Sequence, residues 1–107
     1  MSLQTGLTLP CYAVIFTSKL DLSKAGYDEM ASQMNALVQK QEGFLKMESV
    51  HNNDGQGITV CYWRTIKDVK RWKEQTLHKQ AQQLGKEKWY LQYAVRIAEV
   101  QESYEWN

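Results

Sequence analysis

Cysteine, proline and histidine are scarce in this chain of 107 residues, and long apolar runs are missing altogether. Two cysteines, Cys11 and Cys61, are too few for a disulfide scaffold, and neither has the CxxC neighbour that a structural zinc site uses. They read as buried thiols of a reducing cytoplasm, the expected location. His51 and His78 stand alone in sequence, so no metal site is expected. No segment approaches the about 20 apolar residues that cross a bilayer, and the N-terminus lacks the charged and apolar regions of a signal peptide. A membrane is therefore not an expected partner. Neither charge sign dominates, with 13 Lys and Arg against 12 Asp and Glu. Nucleic acid, which needs a basic stripe, is not an expected partner either. The local cluster Lys67, Lys70, Arg71 and Lys73 is broken by Asp68 and followed by Glu74, as on a solvated helix face. The single proline, Pro10, closes a leader over residues 1–10 that is expected to be flexible, and residues 11–107 suffice for one domain.

Aromatic residues, by contrast, are plentiful and clustered. Three of the four tryptophans, Trp63, Trp72 and Trp89, fall between Ile58 and Tyr90, together with Tyr62 and His78. Large rings supply wide, rigid contact area, which suits either a core or a pocket for a flat ligand.

The order of elements follows from periodicity. Cys11 to Ser18, rich in β-branched and aromatic residues, predicts a first strand. Asp21 and Ser23 can cap a helix in which Tyr27, Met30, Met34, Leu37 and Val38 recur at helical spacing, running to about Gln41 with Gly43 as its stop. Phe44 to His51 and Ile58 to Trp63 flank Asn52-Asn53-Asp54-Gly55, which is hairpin chemistry. Thr65 can cap a second helix with Ile66, Val69, Lys73, Leu77 and Leu84 on its apolar side. A regular helix would throw His78 to the opposite side, so a break near Gln75 to Leu77 is needed to turn it inward. Tyr90 to Val100 predicts the last strand. The order β-α-β-β-α-β predicts a ferredoxin-like α+β sandwich with a four-stranded antiparallel sheet.

In such a sandwich both helices cover one sheet face. Yet both faces read as apolar: Cys11, Ala13 and Ile15 alternate with Tyr12, Val14 and Phe16, and Tyr93, Val95 and Ile97 alternate with Ala94, Ala98 and Val100. With no third helix, the second face is expected to pack on an identical sheet, giving a homodimer.

Glu42-Gly43-Phe44-Leu45, the strand Thr59-Val60-Cys61-Tyr62-Trp63, and Trp72, His78, Ala81-Gln82, Gly85, Trp89-Tyr90 and Arg96 together resemble the antibiotic biosynthesis monooxygenase family. The resemblance covers roughly Tyr12 to Tyr104. It implies a dimeric α+β barrel and an enzyme of the cofactor-independent monooxygenase type, inserting oxygen into an aromatic or quinone-like small molecule without metal or flavin. That chemistry needs a base or hydrogen-bond donors beside a phenol, in a pocket closed to water. The resemblance nominates His78 and Trp72 as catalytic residues and Trp63, Tyr62, Tyr93 and Arg96 as substrate-binding residues.

The family's haem-degrading branch, which combines a first-strand asparagine, a second-helix tryptophan and a later histidine, is matched only in part. Trp72 takes the position similar to the haem-bending tryptophan. His78 lies one turn before Gln82, where the iron-binding histidine is expected, and Tyr12 to Lys19 contains no asparagine. The alternative is therefore a non-catalytic or weakly catalytic binder of a hydrophobic ligand such as haem.

Each nominated residue also has a structural reading. Trp63 closes a strand, where tryptophan commonly serves packing. Trp72 falls at the edge of the helix's apolar stripe, and His78 outside it. Arg96 interrupts an apolar strand face, and a buried guanidinium needs Glu48, Glu99 or an anionic ligand, the ion pair being intramolecular or across the dimer. Met30, Met34 and Met47 suit a core or a permissive pocket wall. His51, before the turn, is expected to be exposed.

Overall fold

The computed structural model describes residues 7–75 and 89–106. Their elements are β1 (Cys11–Leu20), α1 (Tyr27–Val38), β2 (Phe44–His51), β3 (Gln56–Trp63), α2 (Ile66–Glu74) and β4 (Tyr90–Val100). All strands pair antiparallel in the order β2-β3-β1-β4, the ferredoxin-like α+β arrangement expected from the periodicity.

Helix α1 spans the apolar positions Tyr27 to Val38 and is shorter at both ends than the expected cap and stop suggest. Asp21 caps nothing helical: its carboxylate accepts from the Ser23 amide (3.0 Å) and hydroxyl (2.6 Å), closing a local turn instead. The following loop is tied to the far end of the chain. Trp89 Nε1 donates to the Ala25 carbonyl (2.8 Å) and its own carbonyl accepts from the Asp21 amide (2.7 Å). Only after Gly26, in the left-handed region at φ 93°, does the helix begin. It ends at Val38 rather than near Gln41.

Gly43 also takes a left-handed conformation (φ +84°), but its glycine requirement comes from a neighbour rather than from stopping α1. A Cβ there would overlap the Asp68 carboxylate. Asp68 is held at the start of α2 by a reciprocal cap: its amide donates to Thr65 Oγ1 (3.1 Å), and the Thr65 hydroxyl donates to its carboxylate (2.8 Å). Arg71 adds a donor at 2.9 Å and reaches Glu42 at 3.3 Å. This knot joins the β2 entry to α2.

Helix α2 ends at Glu74, with Gln75 already extended, at the first residue of the stretch Gln75 to Leu77 where a break is expected, the rest of which lies outside the described residues. Its buried face carries Asp68, Val69 and Trp72, while Lys73, expected on the apolar side, is exposed. Trp72 thus sits in the core with Val38, Trp63 and Val69 rather than at the edge of a stripe. His78, Ala81, Gln82, Gly85, Leu77 and Leu84 lie outside the described residues.

Register divides the sheet's side chains, because residues directly opposite in an antiparallel pair share a face. Val14, Phe16 and Ser18 of β1 lie opposite Cys61, Thr59 and Gly57 of β3, and opposite Ile97, Val95 and Tyr93 of β4, on the helix side. Ala13, Ile15 and Thr17, with Tyr62, Val60 and Ile58, and Ala98, Arg96 and Ala94, occupy the other side. A bulge between Phe44 and Lys46 shifts β2, after which Met47 and His51 share the helix side with Cys61 and Gly57.

Candidate functional site

A cavity of about 350 Å³ lies between the helix side of the sheet and the helices. That volume falls at the small end of ligand pockets, enough for a compact ring system. One wall is indole-rich: Trp63 and Trp72 lie with ring centroids 6.1 Å apart, and Phe44 meets Trp63 edge-on at 5.7 Å. The opposite end is phenolic. Phe16 stacks on Tyr93 (5.5 Å, 20° between planes) and meets Tyr90 edge-on at 5.3 Å, and Tyr27 meets Tyr90 at 5.9 Å. Helix α1 supplies Met30 and Met34 and β2 supplies Met47, so the three methionines form a wall of soft, adaptable side chains. Asn35, Cys61 and Lys73 add the remaining polar atoms of interest.

His51 reaches the phenolic end because Gly57 leaves room for it. A Cβ on Gly57 would come within 2.6 Å of the imidazole Cδ2, so the ring lies over bare backbone. Its face meets Tyr27 edge-on at 6.4 Å. His51 is exposed, as its place before the hairpin turn implies, yet it lines the cavity as well.

Protonation sorts these groups by what they can do. Burial, then the charge of and a hydrogen bond with Tyr27, raises the pKa of Tyr90 above the ordinary tyrosine range. Burial alone pushes the Cys61 thiol up to about 11. Both therefore hold their protons at neutral pH and act as donors, not bases. His51 contributes an imidazole to the cavity, a side chain whose neutral form pairs one N–H donor with one acceptor nitrogen.

One donor stands out. Trp63 is completely buried, and among the described residues its indole Nε1 has no hydrogen-bond partner. Burying so large a side chain contributes about 4–6 kcal/mol from area alone. An unpaired buried N–H costs about 1–3 kcal/mol, so packing holds the ring in place despite the orphaned donor. Although Trp63 borders the cavity, its N–H has no surface open to it, so the ring contributes packing there.

Of the residues nominated from sequence, Trp63, Trp72 and Tyr93 come together around the cavity. Tyr62 and Arg96 do not. Each follows or precedes a cavity-side residue by one position and so projects from the opposite face, Tyr62 opposite Ala13 and Arg96 opposite Ile15. Arg96 is exposed in the single chain instead of buried in an apolar strand face. Tyr62 instead donates to Glu48 on that far face, and burial with this hydrogen bond pushes its pKa up to about 12. Residues that sequence reasoning passed over are Tyr27, Asn35, Tyr90 and Cys61, brought in by strand parity and by the α1 face. Among the described residues no group of three or more His, Cys, Asp or Glu side chains gathers to hold a metal ion.

A family model for monooxygenase af470-like proteins matches residues 17–105. The chain belongs to the monooxygenase af470-like family. This agrees with the resemblance to antibiotic biosynthesis monooxygenases drawn from the motifs. The af470-like chain is 45% identical over 91 residues to the uncharacterised protein YqjZ of Bacillus subtilis strain 168, covering 85% of this chain and 80% of YqjZ. Its fold is similar to that of a variant of SnoaB, a cofactor-independent oxygenase from Streptomyces nogalater, with TM-score 0.76 at 9% identity, covering 88% of this chain and 96% of SnoaB. Rv0793 from Mycobacterium tuberculosis gives TM-score 0.77 at 10% identity, covering 89% of this chain and 99% of that one. A candidate antibiotic biosynthesis monooxygenase from Caulobacter crescentus gives 0.76 at 14% identity, over 87% and 92% of the two chains. No helix among the described residues is long and apolar enough to cross a membrane.

Proposed function

We propose that this protein is a cytoplasmic enzyme that oxidises a compact aromatic or quinone-like molecule with dioxygen, using neither metal nor flavin. The observation that carries the reading is an aromatic cavity of about 350 Å³ between sheet and helices, walled by Trp63, Trp72, Phe16 and Tyr93. A phenol enclosed there is stripped of water beside groups that hold their protons, Tyr90 and Cys61, and a hydrogen bond from such a donor strengthens as negative charge develops on its oxygen. SnoaB, described as a cofactor-independent oxygenase, supports the same reaction type on the same fold.

In this reading the substrate supplies the electrons. A histidine removes a proton to give an electron-rich anion, which reacts with dioxygen. One oxygen atom enters as a new carbonyl and the other leaves as water, while the substrate carbon loses both hydrogens. Trp72, Trp63 and Tyr93 form the walls, and Lys73 at the rim offers a cation to the anion. The proton acceptor is His51, on the cavity wall, or His78. The protein works as a homodimer, since Ile58 (46% exposed) and Val50 (67% exposed) leave apolar surface open on the sheet face opposite the helices.

An anthrone incubated with the protein under air tests this. The expected result is consumption of one dioxygen per anthraquinone formed, with H51A or H78A lowering kcat by 10²-fold or more, in the range of a lost general base, roughly. Equal rates with and without protein would remove the enzymatic reading. Haem titration then separates the alternative: a stable Soret band with no turnover identifies a haem binder, and loss of the band under reductant and air identifies haem degradation.

A further inference from the structure

The cavity is longer than a single ring, and its two ends differ in chemistry. Two rulers in the fold agree on its length. Strand β3 advances about 20 Å from Gly57, over which His51 lies, to Trp63. Helix α1 rises about 16 Å from Tyr27, which meets His51 and Tyr90, to Val38, which packs with Trp63, Val69 and Trp72. Gly57 apart, all of these residues line one cavity, so its volume of about 350 Å³ is drawn out into a narrow slot. The outer end is polar and open: His51 is exposed, Ser18 and Tyr93 share its row of the sheet, and Tyr27 and Tyr90 bring hydroxyls. The inner end is apolar and sealed, with Trp63 0%, Val69 1% and Val38 4% exposed. Asn35 and Lys73 are exposed and so stand at the rim. Between the two ends run Met30, Met34 and Met47, unbranched thioethers that reshape around a flexible chain.

We infer that the ligand is an oxygenated aromatic head carrying an apolar tail, of alkyl or prenyl type, and that it enters tail first. The inference rests on the reading of an aromatic ligand and adds the tail and its direction. The head stays at the phenolic end beside His51, while the tail lies along the methionines and ends against Trp63, Val38 and Val69. The reverse orientation would press the ring oxygens against Val38 and Val69, where an acceptor without a donor is costly. A head without a tail would leave the inner end unfilled and forfeit the burial of apolar surface that this end offers.

A series of alkylated naphthoquinones, from the methyl to the heptyl compound, tests this by isothermal titration. The quinone is already oxidised, so binding is read without turnover. Affinity should rise about fourfold for each added methylene until the tail meets the floor, and then level off. M34W, which fills the inner half of the slot, should flatten that rise and turn the preference toward the methyl compound. Should M34W fail to give a folded circular dichroism spectrum, M34F takes its place, with levelling-off at a shorter chain expected. H51A should weaken every member by a common factor and leave the rise intact, because only the head meets it. Equal affinities from methyl to heptyl, or a rise that the Met34 variant leaves untouched, would overturn the tail while leaving an aromatic ligand in place. A rise that H51A abolishes would overturn the direction of entry. Binding by no member of the series would overturn the aromatic-ligand reading itself.

Discussion

Trp63 combines a fully packed ring with an unpaired N–H, and substitutions can separate the two. Its ring fills the core beside Val38, Val69 and Trp72, while its N–H finds no partner among the described residues. W63A should cost about 3–5 kcal/mol of stability through the cavity it opens. W63F keeps most of the packing and deletes the orphaned donor, so thermal stability should change by no more than about 1 kcal/mol. Affinity for a quinone or anthrone ligand should change by less than about threefold, because no surface of the N–H is open to the cavity. Isothermal titration beside a melting curve reads both, and a tenfold loss of affinity with an unchanged melting curve would mean that the N–H reaches the ligand. At this scale the sequence was informative about residue type and silent about direction. Trp63, Trp72 and Tyr93 were nominated and do meet at the cavity, but Tyr62 and Arg96 were nominated on the same grounds and face away. Composition cannot reveal on which side of a sheet a side chain emerges. Only the register can.

Elements were more legible than their ends. The bounds of β2 follow from Gly43 and the Asn52 turn on either side and those of β4 from its β-branched and aromatic run, whereas α1 begins late because Trp89, far along the chain, holds the preceding loop. No local pattern carries that information. The entry to α2 shows the opposite case, a local device visible in sequence that gains a long-range partner in the fold. Thr65 caps the helix as expected, and the Asp68 it engages presses against Gly43. T65A should cost about 1 kcal/mol, the usual value of a lost N-cap. G43A should cost more, because alanine meets both an unfavourable positive φ and the Asp68 carboxylate. Urea denaturation of both variants checks the order; a G43A protein as stable as the wild type would mean that Asp68 moves aside freely.

For the whole molecule, alkaline pH should be the weak side. Cys61 (pKa about 11 folded, 9.0 otherwise) and Tyr62 (about 12, against 10.0) hold their protons more tightly when folded, and Tyr90 shifts in the same direction. The unfolded chain thus releases protons first, so their contribution is whole below about pH 9 and is lost as pH rises through 11 and 12. Melting temperatures between pH 8 and 11 should fall, and replacing both buried thiols, C11A with C61A, should postpone the onset toward pH 10, where the tyrosines begin to titrate; an onset unmoved by the pair would assign the decline elsewhere. The separation of the sheet's two sides, one lining the cavity and one facing away from the helices, also depends on a single extra residue. The β2 bulge works like a frameshift in the alternation of a strand. Deleting Leu45 would regularise the pairing and leave every later partner in place, whereas keeping it and pairing it with Tyr62 would send Lys46, Glu48 and Val50 into the cavity and Met47 and His51 out to the opposite face. One bulged residue therefore decides which half of β2 lines the cavity and which half lies on the outer face of the sheet.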